Sequence, residues 1–334
     1  DVLALVSYPG YDLNKMANGV DAEYYAKINR DLSVPQWNAA TQQLTAPGST
    51  FKVVSSVAAV EEGAVSGLGE TIRCSGVFDK LAPTIHRCWV YPSAHGNMNV
   101  SSAIANSCNC YFYEVGYRLS QDSSGYNSDY GLSRLKKYAD LFGLTEKSGI
   151  EITESEPKFS DLYAVPSMIG QGTHNYTTVG LARYVTTIAN SGTCYNLSLL
   201  EKLTDSKGNL IEDYKAEVRN QVTLDDSMWK AIHTGMRQVV ETKAYYNDLA
   251  VNVAGKTGTA QQDKTRANHA LFISYAPYEN PEISVTIRIA NGYDSGYAAQ
   301  TARDVYKYYY GLAKEDDLLT GTAEVPEITG GTGD

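Results

Sequence analysis

The sequence predicts an α/β fold of the α+β kind: a central antiparallel sheet flanked by helices, with a largely helical insertion in its middle. Three observations predict it. A short apolar run at residues 2–7 opens the chain as a strand and stops at the turn Tyr8-Pro9-Gly10. Further β patterning is confined to the last third, at residues 251–261, 270–275 and 283–289. Between these ends the chain carries helical periodicity and loops, so the lone first strand and the late hairpins are expected to share one sheet.

Taken in order, residues 11–46 are irregular with weak helical stretches. Residues 49–62 form a helix introduced by Pro47-Gly48 and closed near Gly63. Phe51, Val53, Val54, Val57, Ala58, Ala59 and Val60 cover nearly all its faces, which marks a buried central helix. Residues 64–100 are rich in Gly, Cys, His and Pro and read as a loop-dominated excursion. A short helix follows at 100–105, and another starts near Tyr111. Residues 125–129 are loop-like, 132–142 an amphipathic helix, and 177–189 a helix with Val179, Leu181, Val185 and Ile188 at helical spacing. The next helix, 225–241, opens with Asp225 and Asp226, which suit a helix N-terminus. Residues 302–312 close the domain, and 313–334 are expected to be a flexible tail, richest in Gly, Thr and Glu from Thr320 onward.

The 334 residues hold 43% hydrophobic residues, enough for a large core, and no apolar run reaches membrane-spanning length. Lys and Arg number 28 against 38 Asp and Glu, a formal charge of −10. That balance excludes general affinity for nucleic-acid phosphate, which needs clustered cations.

Three short motifs carry chemistry. In Ser49-Thr50-Phe51-Lys52, residues three apart share a helix face, so the Lys52 amine lies beside the Ser49 hydroxyl. A serine is a weak nucleophile without a base, and burial at a helix start disfavours ammonium there. The same spacing recurs at Ser133/Lys136, Ser155/Lys158 and Ser227/Lys230, but in polar settings that read as solvated surface. Ser107-Cys108-Asn109 is the second motif. If extended, it turns a hydroxyl and an amide toward one cleft and Cys108 away from it; a cap or turn is the bland alternative. The third is Lys256-Thr257-Gly258-Thr259. As a strand it offers a fixed cation, two hydroxyl donors and, at Gly258, room for a ligand against the strand edge. A phosphate loop would need Gly at position 250, where Ala250 stands, and a helix afterwards, where β patterning follows.

Together and in this order, the three motifs resemble those of the penicillin-binding protein and serine β-lactamase superfamily. The likeness continues through Leu3–Asp12, Ala46–Lys52, Ile169-Gly170-Gln171-Gly172 and Leu181-Ala182-Arg183-Tyr184, which resemble segments of class B penicillin-binding proteins, and it spans residues 1–312. The resemblance implies a peptidoglycan D,D-transpeptidase domain. Ser49 would form the acyl-enzyme, Lys52 would act as base, and Ser107 would relay a proton. Asn109 would hold the acyl side, while Lys256, Thr257, Gly258 and Thr259 would bind the terminal carboxylate. The N–H groups of Ser49 and Thr259 would make the oxyanion hole. Stem peptides and β-lactams would be the ligands, and catalysis would need no cofactor. The domain would lie outside the bacterial membrane, tethered by an N-terminal helix not in this chain, with a membrane glycosyltransferase as partner. A β-lactamase or a β-lactam-sensing receptor domain of the same fold is the alternative. A His-dependent hydrolase is disfavoured, since no Gly-x-Ser-x-Gly occurs and the five histidines show no triad pattern.

The five cysteines cannot all pair within one chain. Cys74, Cys88, His95 and Cys108 make a three-thiolate, one-imidazole set suited to tetrahedral zinc, and some class B relatives of the elongation type carry a metal behind the Ser-x-Asn motif. A structural zinc is therefore expected there. A Cys74–Cys88 disulfide, free thiols, or His86 in place of His95 remain open at this level.

Overall fold

The computed structural model describes residues 1–17, 19–260 and 265–319. The sheet among these residues has three antiparallel strands at its end of the chain: Ala254–Ala260, His269–Ala276 and Ile283–Ile289, in that spatial order. The middle strand is buried at every position, as a strand covered on both faces must be. Ala270, Phe272 and Ala276 turn one way, into a small core with Ala298, Ala299, Ala302 and Tyr306 of the helix Ser295–Tyr309. Leu271, Ile273 and Tyr275 turn the other way, into the main core. The period of two is thus kept while both faces are apolar.

The main core is helical. Helix α1 (Ala22–Arg30) is peripheral, whereas α2 (Lys52–Glu61) is central and buried along most of its length, as its sequence predicts. Around it stand α3 (Val100–Ala105), α4 (Asn109–Leu119), α5 (Ser128–Leu141) and the short α6 (Ala164–Ser167). Helices α7 (Thr178–Ala189) and α8 (Asp226–Glu241) lie between this cluster and the sheet. Glu62, which caps α2, ties α5 down: Arg134 Nε donates to it at 2.7 Å, Lys137 Nζ at 2.9 Å and Tyr138 Oη at 2.9 Å. Burial alone would push the Glu62 carboxyl up, but these three donors outweigh it and hold it at about 2.

The structure corrects the sequence reading in several places. Residues 2–7 form no strand and do not join the sheet; Leu3 and Val6 are 70% and 76% exposed. Their polar groups bond to loops instead: Val2 N donates to Ser198 O at 3.2 Å, and Ser7 Oγ accepts from Ala39 N at 2.9 Å. The closing helix, α9, starts at Ser295 rather than 302, because the Asp294 side chain caps it by accepting from Gly296 N. Helix α5 begins at Ser128, inside the expected loop, with Asn127 as its cap. The excursion at 64–100 is less irregular than expected. It holds the strand pair Ile72–Cys74 with Gly96–Met98 and the hairpin Val77–Leu81 with Thr84–Arg87. A helical turn, Glu315–Leu318, interrupts the stretch read as flexible tail, whereas Gln261 and residues 320–334 lie outside the described residues.

Candidate active site

Ser49 sits in a 3₁₀ turn, Gly48–Phe51, that precedes α2, and Lys52 is the first residue of α2. Both are buried, and the Lys52 N–H donates to Ser49 O. The turn is clamped between two backbones. On one side is the strand Ala254–Ala260, where a Cβ on Gly48 (φ +52°) would lie 2.5 Å from Thr259 O. On the other is the loop 169–172, where Gly48 N donates to Gly170 O at 3.1 Å and a Cβ on Gly170 would collide with Gly48 O. Glycine at both positions is a steric requirement.

Ser107 and Asn109 reach this turn, but not through an extended loop. Helix α3 ends in a Schellman motif: Cys108 N donates to Ala103 O at 3.0 Å, and Ser107 N to Ile104 O at 3.1 Å. Ser107 takes the left-handed position of that motif (φ +48°), where glycine is usual, and Asn109 opens α4. The two side chains nevertheless turn to one side, as the motif reading expects, and there they meet Lys52. Lys52 Nζ lies 2.9 Å from Ser107 Oγ, 2.8 Å from Ser107 O and 2.6 Å from Asn109 Oδ1.

The left-handed backbone costs a non-glycine residue roughly 1 kcal/mol. Ser107→Gly is therefore expected to match or exceed Ser107→Ala in urea-denaturation stability, by about 1 kcal/mol, although both lose the hydroxyl. A glycine variant less stable than the alanine variant would contradict the assignment of strain.

Lys256 is also buried, and its Nζ lies 2.9 Å from Ser107 Oγ and 3.0 Å from Thr257 O. Two amines thus share one hydroxyl. Gly258 departs from its expected role: a Cβ there would lie 2.8 Å from Thr50 Cγ2 and 2.9 Å from Pro47 O. The turn carrying Ser49, rather than a ligand, occupies the space that the missing side chain leaves. Thr259 is the only partly exposed residue of its strand.

The other Ser-x-x-Lys pairs read as surface: Ser133, Lys136, Lys158, Ser227 and Lys230 are exposed. The histidines are occupied structurally. His174 Nδ1 accepts from Ser160 N at 3.0 Å, its ring lies 4.4 Å from that of Phe51, and burial pushes it down to about 3. Nε2 of His233 contacts Ile188 O, and His86 packs on Phe78 and Tyr113.

Cys74, Cys88, His95 and Cys108 meet behind the Ser-x-Asn turn, their ligand atoms all within 4.8 Å of one another. Pairing of Cys74 with Gly96 in the Ile72–Cys74 and Gly96–Met98 ladder carries His95 alongside. His95 Nδ1 stands 3.7 Å from Cys74 Sγ and 3.5 Å from Cys88 Sγ. Tetrahedral zinc with its usual bond lengths puts sulfur and nitrogen about 3.6 Å apart. No disulfide joins Cys74 to Cys88, and His86 lies elsewhere. The neighbouring Cys88 sulfur and burial push the Cys108 and Cys110 thiols up.

The family model of the penicillin binding protein transpeptidase domain matches residues 1–307. The chain belongs to the penicillin-binding protein transpeptidase family. This transpeptidase-family domain is 30% identical to the peptidoglycan D,D-transpeptidase MrdA of Haemophilus influenzae, over 92% of the chain and 51% of that protein. It thus spans about half the length of curated relatives. Pseudomonas aeruginosa PBP2 in complex with WCK 5153 superposes with a TM-score of 0.80 at 26% identity, covering 97% of this chain and 74% of that one. A component of a peptidoglycan synthase complex that coordinates polymerization and crosslinking gives 0.79 at 27% identity, covering 96% of this chain and 54% of that one.

Sequence reasoning missed the supports of this site. Tyr184 Oη donates to Thr50 O at 3.1 Å, Ser55 Oγ donates to Met168 O at 2.7 Å, and His174 backs Phe51. The closely spaced Gly170 and Gly172, both at positive φ, are the one local signal that a backbone passes close by.

Proposed function

We propose that this domain is a peptidoglycan D,D-transpeptidase that works through a Ser49 acyl-enzyme and is acylated by β-lactams. The observation that carries the reading is the placement of the Lys52 and Lys256 amines, each 2.9 Å from Ser107 Oγ, one turn from Ser49. Burial and mutual repulsion disfavour two ammonium groups around one hydroxyl. One neutral and one charged amine satisfy these contacts around Ser107. Neutral Lys52 donates its two N–H bonds to Ser107 O and Asn109 Oδ1 and accepts from the Ser107 hydroxyl, while charged Lys256 donates to Ser107 Oγ.

When the Ser107 hydroxyl rotates off Lys52 Nζ, the freed lone pair takes the Ser49 proton as the Ser49 oxygen attacks the carbonyl between two terminal D-alanines. The backbone N–H groups of Ser49 and Thr259 receive the oxyanion. Ser107 passes the proton from Lys52 to the departing amine, with Lys256 holding the relay hydroxyl in place. Lys256, Thr257 and Thr259 take the substrate carboxylate and Asn109 the acyl side. An amine of a neighbouring stem peptide then attacks the ester.

A β-lactamase must activate a deacylating water, for which the class A enzymes use a Glu. Among the described residues, the two buried glutamates are engaged elsewhere: Glu114 with Lys80 and Arg118, and Glu154 with Ser148 and Thr177. A pentapeptide donor ending in D-Ala-D-Ala, supplied with an amine acceptor, should release D-alanine and yield the cross-linked product by mass spectrometry. Nitrocefin should give one slow turnover. Rapid repeated nitrocefin hydrolysis without transfer would favour the β-lactamase reading.

Cys74, Cys88, His95 and Cys108 would hold a structural zinc, which supplies no chemistry to the reaction but braces the turn carrying Ser107. The proposed domain runs through residue 312 and acts on the outer side of the cytoplasmic membrane, where stem peptides lie. No described helix is long and apolar enough to cross a membrane. The likeness to a component of a peptidoglycan synthase complex supports a glycosyltransferase as partner.

A further inference from the structure

Ser107 holds its hydroxyl between two amines from a strained backbone, so the peptide units on either side of it must be held. The unit after it is pinned at both ends: Ser107 O accepts from Lys52 Nζ at 2.8 Å, and Cys108 N donates to Ala103 O at 3.0 Å. The unit before it is pinned at its N–H end, where Ser107 N donates to Ile104 O at 3.1 Å. Its other end is Asn106 O, a carbonyl past the end of α3 with no helical N–H to take it. Trp89 Nε1 donates to that oxygen at 3.0 Å.

Trp89 belongs to a different part of the chain, a turn closed by Tyr91 N donating to Cys88 O at 3.1 Å. Its ring centroid stands 5.4 Å from that of His95, so the indole is seated on the Cys/His cluster while its N–H reaches the catalytic turn. The residue is 36% exposed, more than packing alone would select for tryptophan. Its polar contact explains its place better than its burial does.

We propose that Trp89 is a positioning residue for the transfer reaction, fixing the orientation of the Ser107 hydroxyl through the Asn106 carbonyl. The proposal rests on the function assigned above. Without the indole donor, the peptide unit between Asn106 and Ser107 rocks about its remaining anchor, and the hydroxyl spends less time between Lys52 and Lys256. Substrate contacts made by other residues are untouched, so the loss falls on the chemical step and not on prior noncovalent binding.

The test is the β-lactam acylation rate constant in a double-mutant cycle. Trp89→Phe, which keeps a ring and removes the N–H, should slow acylation by about tenfold with the noncovalent dissociation constant unchanged within twofold. In the Ser107→Ala background the same change should slow acylation by less than about twofold, because the group it positions is gone. Should Trp89→Phe destabilise the fold, benzothienylalanine at position 89 replaces only the N–H by sulfur and should give the same result. Equal losses in both backgrounds, or full-rate acylation without the N–H, overturns the proposal while leaving Ser49 chemistry standing. A wild-type chain that β-lactams do not acylate at all overturns the transpeptidase reading and this proposal with it.

Discussion

Lys52→Met should lower the rate constant for acylation by a β-lactam on the order of 10²- to 10⁴-fold, the usual worth of a positioned general base. Methionine keeps the length of the buried side chain and removes its amine, so the loss reports proton transfer and not a collapsed cavity. The Lys52 amine has Ser107 O, Ser107 Oγ and Asn109 Oδ1 within 2.9 Å, and no other group in that set can accept a proton and remain buried at modest cost. The variant should keep a cooperative unfolding transition, which circular dichroism checks. An acylation rate within threefold of wild type in the folded variant would mean that another base serves Ser49.

Chelation is expected to have the second large effect. Protein purified without chelator should contain about one zinc per chain by metal analysis. Free zinc at 100 times its dissociation constant contributes about 2.7 kcal/mol to the folded state. At roughly 2 °C per kcal/mol for a domain of this size, removing it should lower Tm by about 5 °C. The acylation rate should fall too, since Cys108 is the covalent neighbour of both Ser107 and Asn109. Restoring zinc should recover both quantities. Metal-free protein with a Cys74–Cys88 bridged peptide would overturn the zinc reading.

Much of the site was legible in the sequence because its chemistry is local. A serine and a lysine three apart, a serine two before an asparagine, and Lys256 on a strand each declare themselves within a few residues. The inference that Cys108 points away from the cleft also led to its three partners, and the structure brings these four side chains together. The reasoning about backbone was weaker. An extended Ser107–Asn109 segment and a Schellman turn place the two side chains on the same side, so the right convergence followed from the wrong conformation. Gly258 illustrates the same limit: the sequence shows that something approaches closely, but only the fold shows that it is Thr50 and Pro47. Non-local anchors were out of reach. Nothing near residue 2 says that its N–H goes to Ser198 rather than to a sheet edge, and nothing near Trp89 points to Asn106.

The central claim is that Ser49 carries the acyl group, with Lys52, Ser107 and Lys256 assembled around it. Intact-mass analysis after exposure to a penicillin, followed by peptide mapping, tests it most directly. Wild-type protein should gain the mass of one opened β-lactam on the peptide containing Ser49, and Ser49→Ala should gain none while unfolding at nearly the same temperature. An adduct that persists in Ser49→Ala, or that maps to any other serine in the wild type, would contradict the account.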